Sequence, residues 1–588
     1  WNKTCADFWR PHLIYHSELF VLCGIKRKKT FRTMDTLEGK KLVLEPVVKK
    51  WSLFSLFFFP AIGGLIFGYD IGATSFVLVQ LQNSKLSHVA YSYILDDFSF
   101  WRGVITSGSV AGAFLASLIV FPLSDSLGRR DEMLIAFGLY FSGAALEVFA
   151  GWPTFDALIG FSILVAGRII FGMGIGFCMH AAPMYISEMG PSKVRGMLIS
   201  AKEAMIVLGM VLGYTVGYIT EDTVGGWMYT YGVGGVLACL FGAGVFYLPE
   251  SARWLILQGR HVEGKESLDF VYSEGSGVIL TEVLEVAKES LPKPMAPTPG
   301  TEAARSAAAA YANAITTIVD ETSESFGSSD NSISTAKTTE DNVDDPLGIL
   351  LGDKVLPATI AGLGVITLQQ ISGQPSVLYY AETIFRDAGV SSGGTIAVAC
   401  FKLLCTIASA FVVDSYGRRK LLLGGILIQA FALTLITSYF AFGWNSDIFL
   451  ITSMFVYVGG YQVGFGPIAW LLISEVFPLS VRGEGMALAV QTNFFWNLVV
   501  ALSFDEELEL IGSTWSFAVF LIVALVSLVF VYYFVPETKG LSLEEIESML
   551  DAKTFSPYQK SQRNARSTYE SVHGEEIISI AQTNNSPA

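Results

Sequence analysis

Two charged residues stand where charge is costly. Asp70 lies inside the apolar run from Leu53 to Val79, and Arg168 lies inside another from Ala157 to Ser187. A charged side chain at the centre of a bilayer costs about 2.5–3.5 kcal/mol on insertion scales. Such residues therefore face a protein interior or a water-filled cavity. Burial favours the protonated carboxyl, and a nearby cation favours the ionised one. A carboxylate whose cation moves away and returns can load and release a proton. A permanent structural ion pair is the other reading of the same residues.

The elements that hold them follow from composition. The chain has 588 residues, of which 52% are hydrophobic and 15% charged, with a mean hydropathy of +0.49. A soluble domain carries about 25% charged residues. Too few charges remain here to cover soluble surfaces, so a soluble enzyme, a nucleic-acid binder and a disordered scaffold are excluded. The net charge of −15 also opposes a phosphate-backbone partner. Twelve stretches reach the length of about 20 apolar residues that a spanning helix needs. Six fall between Leu53 and Leu248 and six between Leu356 and Val535. The fold class is all-α integral membrane, with twelve transmembrane helices in two six-helix halves. The lipid bilayer is thus the first partner.

Basic residues set the expected orientation. The short loops on one side hold Arg129, Arg130, Lys193, Arg195, Arg418, Arg419, Lys420 and Arg482. The loops on the other side are acidic, as in Glu221-Asp222 and Asp505-Glu506-Glu507. Both termini are expected in the cytoplasm. Residues 1–50 read as a cytoplasmic N-terminal segment, a gene-model or targeting extension that opens on Trp1 and carries the basic cluster Lys26–Lys29. The halves are expected at 51–250 and 354–535. Between them lies a cytoplasmic linker, 251–353, whose stretch 292–345 is rich in Pro, Ala, Ser, Thr and Asp and reads as disordered. Residues 536–588 read as a cytoplasmic tail.

The chain contains a repeat. DSLGRR at 125–130 returns as DSYGRR at 414–419, YISEMGPSKVRG at 185–196 as LISEVFPLSVRG at 472–483, and PES at 249–251 as PET at 536–538. Three motifs in one order at nearly one offset mean a duplicated six-span unit. Parallel halves of this kind are a transporter architecture. With GYDIG at 68–72, GRIIFGMGIG at 167–176, PESARWL at 249–255, QQISGQPSVLYY at 369–380, GPIAWLLISEVFP at 466–478 and PETKGLSLEEIE at 536–547, the chain resembles the sugar porters of the major facilitator superfamily. The resemblance covers about residues 51 to 550. Within that family, MHAAPMYISE, SAKEAMIVLG, QQISGQP and CFKLL are most similar to plant-type vacuolar and plastid glucose transporters of the D-xylose-proton symporter-like group.

The resemblance implies roles. Asp70 and Arg168 match the proton-coupling pair on the first and fourth spans. A sugar needs neutral donor–acceptor side chains and an aromatic platform. Gln369 and Gln370 match its amide contacts, Asn493 a further polar contact, Trp470 the aromatic wall, and Tyr379 and Tyr380 the aromatic gate. Each of these is otherwise interhelical glue. The cytoplasmic gate would comprise Asp125, Arg129, Arg130, Glu188, Arg195, Glu250, Arg253, Asp414, Arg418, Glu475 and Arg482, facing charges that latch the halves while the outer side is open. Setting topology and turn geometry is their other role.

Several residues depart from the family pattern. Pro375 stands where Asn is usual, and a helix break would replace the missing amide. Glu203 stands where Gln is common, and is expected to bind sugar hydroxyls or serve as a second proton site. Lys402 replaces Asn and would balance a buried acid. Phe121 and Ala410 replace small gate residues. His180 reads as a satisfied interior residue, and Lys202 as a residue near the inner boundary. Gly172, Gly174 and Gly176 sit inside an apolar span and serve close helix packing, not a nucleotide loop. GRHVEGKE at 259–266 places Glu266 where a phosphate loop needs Ser or Thr, and no strand precedes it. No metal spacing, cofactor motif or catalytic constellation is present, so the chain does not read as an enzyme.

The expected function is proton symport of a hexose or pentose, glucose- or xylose-like, by alternating access in a monomer. A facilitative sugar uniporter and a non-transporting sugar receptor are the alternatives. Plasma membrane, vacuole and plastid envelope all fit.

Overall fold

The computed structural model describes residues 47–97, 99–123, 127–191, 195–274, 276, 279–280, 348, 350–352, 355–387, 393–444, 446–477, 481–539 and 546. Six long helices form the first half: α1 (Lys50–Gln82), α2 (Ser99–Leu123), α3 (Arg129–Phe149), α4 (Ala157–Met189), α5 (Arg195–Thr220) and α6 (Gly226–Tyr247). The second half has α7 (Leu356–Ile371), α8 (Gly393–Tyr416), α9 (Arg418–Phe442), α10 (Asp447–Val463), α11 (Phe465–Val476) and α12 (Arg482–Phe534). The face that holds Lys49, Glu250 and Arg418 is called inner below, and the opposite face outer.

Helix breaks account for every difference from the expected spans. α10 and α11 together make the tenth crossing, parted at Gly464. α12 holds the eleventh and twelfth. At Gly512 its backbone turns to φ 77° and ψ 161°. Phe504 and Phe520 stack at 5.8 Å across that point. They are sixteen positions apart, about 24 Å along an uninterrupted helix, so the chain doubles back at Gly512. The seventh crossing is in pieces: α7, then Gln374–Tyr379, then Ala381–Asp387. The break is made by Gly373, held at φ 88°. Pro375 sits in the first turn of the next piece, where its missing N–H costs nothing. The break expected at Pro375 is thus centred two residues earlier. One element was not foreseen: Val47–Val48 pairs antiparallel with Tyr272–Glu274 on the inner face.

Helices in lipid gain no hydrophobic drive from meeting, so they associate where small residues let backbones touch. α1 and α5 cross on Gly68, Gly72, Gly209 and Gly213. A Cβ at Gly68 would overlap the Ile206 carbonyl, and one at Gly209 the Leu65 carbonyl. The GMGIG glycines act likewise. Gly172 lies against the backbone of Ser109, Gly174 against Ala136 and Tyr140, and Gly176 against Ala113 and Ala116. α4 is thereby pressed against α2 and α3, which sets the distances in the site below.

Gly209→Val should cost at least the ~1–3 kcal/mol of an overpacked core. Gly138 has open space around it, so Gly138→Ala should leave stability unchanged or slightly raised. Thermal unfolding of the detergent-purified protein reads both. Equal midpoints for the two variants would contradict the crossing described here.

Candidate functional site

Arg168 on α4 is fully buried, at 0% exposure, and Asp70 on α1 at 2%. They form a two-pronged ion pair, Nη1 to Oδ1 and Nη2 to Oδ2, the second at 3.2 Å. Ser109 on α2 joins both. Its hydroxyl donates to Asp70 at 2.6 Å and accepts from Arg168 Nη2 at 2.9 Å. Arg168 Nε donates to the Ile105 carbonyl at 3.2 Å, and the guanidinium lies 5.3 Å from the Tyr231 ring centroid. A second carboxylate, Glu147 on α3, accepts from Arg168 Nη1 at 3.4 Å. Ser109 and Glu147 escaped the sequence reading. Glu147 sits four residues past Gly143 in an apolar run, and that position is itself the signal that could have found it. Tyr379, from the second half, is buried beside this cluster, with Asp70 and Ser109 as neighbours.

The neutral amides also come together. Gln370 Nε2 donates to Asn493 Oδ1 at 2.5 Å and to Gln369 Oε1 at 3.3 Å, and Gln369 Nε2 donates to the Phe465 carbonyl at 2.9 Å. Three buried polar atoms here, Gln370 Oε1, Gln374 Nε2 and Asn497 Oδ1, have no partner among the described residues. Gln374 and Asn497 were not singled out from sequence. Asn497 lies one helical turn from Asn493 and so shares its face. Tyr380 is buried and meets the Phe504 ring at 5.5 Å. Trp470 lies in α11, with the Lys202 ammonium 5.8 Å from its ring centroid. Lys202 is buried. Glu203 is within electrostatic reach of both Lys202 and Lys402, and Lys402 Nζ lies 3.6 Å from Met210 Sδ. Lys402 is itself buried. His180 Nδ1 meets Glu132 at 2.9 Å, both buried, which fits an interior residue with a partner.

On the inner face the duplicated motifs build the same cluster twice. Glu188 accepts from Arg129 Nε at 3.3 Å and from the Ser251 hydroxyl. Glu475 accepts from Arg418 at 2.9 Å and from Thr538 at 2.6 Å. Glu250 takes the amides of Arg130 and Ser251, and Glu537 takes the amide of Arg418. Gly128 and Gly417 leave the room those carboxylates occupy. Burial pushes the Glu250 carboxyl above the usual carboxylate range, and the two backbone amides hold it back. Each of these pairs lies within one half. Arg253 is half-buried on the helix Ala252–Leu257. Asp125 lies outside the described residues, as do the side chains of Arg195, Asp414 and Arg482.

The bonds that cross between halves lie elsewhere. Arg102 on α2 binds Asp505 at 2.6 Å and Glu509 at 2.5 Å on α12, and Ser99 binds Glu506 at 3.1 Å. Ser75 accepts from the Glu382 amide at 3.1 Å, and the Tyr214 hydroxyl donates to the Leu378 carbonyl at 2.7 Å. These contacts close the outer side. Charge-assisted hydrogen bonds are worth about 1.5–3 kcal/mol each, and about 1.4 kcal/mol changes a population tenfold. Arg102 makes two such bonds, so Arg102→Gln should raise maleimide labelling of a Ser75→Cys protein by at least about tenfold in detergent. Unchanged labelling would show that the Arg102 clamp does not hold this state.

Similarity to known proteins follows the same lines. The model of the family described as "Sugar (and other) transporter" matches residues 56–292 and 302–550. D-xylose-proton symporter-like 2 of Arabidopsis thaliana is 40% identical over 497 residues, covering 84% of this chain and 90% of the relative. The Arabidopsis D-xylose-proton symporter-like 3, chloroplastic, is 42% identical over 509 residues, covering 85% and 83%. The structure of the proton:xylose symporter XylE bound to 6-bromo-6-deoxy-D-glucose superposes with a TM-score of 0.65, at 24% identity, over 85% of this chain and 99% of that one. At that identity the likeness shows the shared fold. The chain belongs to the family of sugar (and other) transporters and has the major facilitator fold, a multi-pass membrane transporter and not an enzyme.

Proposed function

We propose that this chain is a proton-coupled symporter of a glucose- or xylose-like monosaccharide. The observation that carries the reading is the sealed Asp70–Arg168 pair with Ser109 bridging it. Held this way, the carboxylate has three donors directed at it while the guanidinium is close. If the halves rock apart and the guanidinium retreats, the carboxylate takes a proton. Tyr379 ties that event to the sugar. It stands beside the pair and begins nine residues after Gln370, on the broken seventh crossing. The amides Gln369, Gln370 and Asn493 and the Trp470 face suit hydroxyls and an apolar sugar ring. Glu203 would add a strong acceptor for sugar hydroxyls, with Tyr379 and Tyr380 as the gate.

Alternation follows from where the bonds lie. The outer charges tie the halves together, while the inner clusters brace each half internally. Asp125, Arg195, Asp414 and Arg482 belong by their motifs to the inner clusters and would join them as the halves exchange partners. One chain encloses the whole path, so a monomer suffices. The basic loops support a cytoplasmic location for both termini and the linker. Which of the plasma membrane, vacuole or plastid envelope holds the protein sets the direction of flux. The driving force is adequate in each. One charge falling through 100 mV is worth about 2.3 kcal/mol, and one pH unit about 1.4 kcal/mol, enough for several-hundred-fold accumulation.

Uptake of labelled glucose and xylose into proteoliposomes tests this reading, with and without an inward proton gradient. The wild type should accumulate sugar above equilibrium only with the gradient, and Asp70→Asn should lose accumulation altogether. Gradient-independent equilibration in both proteins would identify a facilitator and make Asp70 structural. Flux of any kind rules out the receptor reading. Gln370→Ala should raise the KM about tenfold, for a lost hydrogen bond worth about 1–1.5 kcal/mol. An unchanged KM would remove Gln370 from the sugar site.

A further inference from the structure

The buried cluster around Arg168 does not balance in charge. Glu147 is 1% exposed, Asp70 2% and Arg168 0%. Two carboxylates share one guanidinium. The other polar groups facing Glu147 are neutral: Tyr69 from α1 and Tyr231 from α6. Tyr69 donates its hydroxyl to the Thr230 carbonyl at 2.6 Å and stays a phenol. Among the described residues no second cation faces the cluster. With both acids ionised it would carry an uncompensated buried negative charge, which costs several kcal/mol. One bound proton removes that cost.

The hydrogen bonds show which acid holds it. Asp70 receives both prongs of Arg168 and the Ser109 hydroxyl at 2.6 Å. Three donors stabilise it as a carboxylate. Glu147 receives a single contact, at 3.4 Å, from an Nη1 already engaged by Asp70. It is poorly supplied as an anion and well placed to hold a proton. We propose that Glu147 is a second proton-binding residue, protonated while Asp70 is paired with Arg168 and ionised against Arg168 once Asp70 takes the proton. The proton leaves one carboxyl oxygen and joins the other, Arg168 stays charged, and the cluster is neutral in both arrangements. For its meaning in transport the inference rests on Asp70 and Arg168 as the coupling pair.

Infrared spectroscopy of the full chain in lipid nanodiscs at neutral pH tests it without any sugar. The difference spectrum of wild type minus Glu147→Gln should contain one carboxylic-acid C=O band. In that variant Asp70 and Arg168 already balance and need no proton. Glu147→Asp should keep the band. Asp70→Asn should also remove it, because Glu147 then ionises against Arg168, and this arm stands if Glu147→Gln does not fold. No band in the wild type, or a band that survives in either Gln or Asn variant, overturns the proposal. Proteoliposome assays separate it from the coupling reading. Glu147→Gln should lose gradient-driven accumulation while keeping sugar exchange at equilibrium. Equal loss of both would make Glu147 structural and overturn the proposal. If the wild type does not accumulate sugar with the gradient, the coupling reading fails, while the infrared result still decides the proton site.

Discussion

Burying one guanidinium in a bilayer organises the first half of this protein. Arg168 has no exposed surface, so every donor it carries must be met from within. Its partners come from four other elements: Asp70 from α1, Ser109 and the Ile105 carbonyl from α2, Glu147 from α3 and the Tyr231 ring from α6. Five helices are thus held to one point by one side chain.

That arrangement depends on glycine. Gly172 lies one turn beyond Arg168 on α4 and against the backbone of Ser109. A side chain there would push α2 away and take the bridging hydroxyl with it. Gly108 stands next to Ser109, and a Cβ there would meet the Arg168 side chain at 2.9 Å. The small-residue crossings and the ion pair are therefore one device. Close backbones bring the polar groups into reach, and the ion pair sets the register at which the backbones meet.

Polar chemistry on the two faces is divided by purpose. Inner carboxylates close on their own half, in two copies that follow the repeat: Glu188 with Arg129, and Glu475 with Arg418. Outer carboxylates close across the halves, through Arg102 and the α12 acids. The inner pairs join elements within each half. The outer pairs join the two halves in this structure.

Much of this was legible in the chain. Span count, duplication, the basic loops and the Asp70–Arg168 pair follow from residue type, spacing and motif, and Gln370 and Asn493 were each named by resemblance, though not as partners. Hydropathy and repeats are one-dimensional properties, and an intramembrane charge announces itself in any apolar run. Three things were settled only by the tertiary structure. Glu147 joins Arg168 because Gly143 and Phe171 bring α3 and α4 into contact, and no local pattern encodes that approach. Glu188 takes Arg129 and Ser251 because a carboxylate at a helix end takes the nearest donors in space. The reversal at Gly512 and the break at Gly373 are single backbone dihedrals inside apolar sequence. Composition determined that this chain spans a membrane and where its charges are costly. Which charges share a proton is decided by distances between helices that the sequence does not contain.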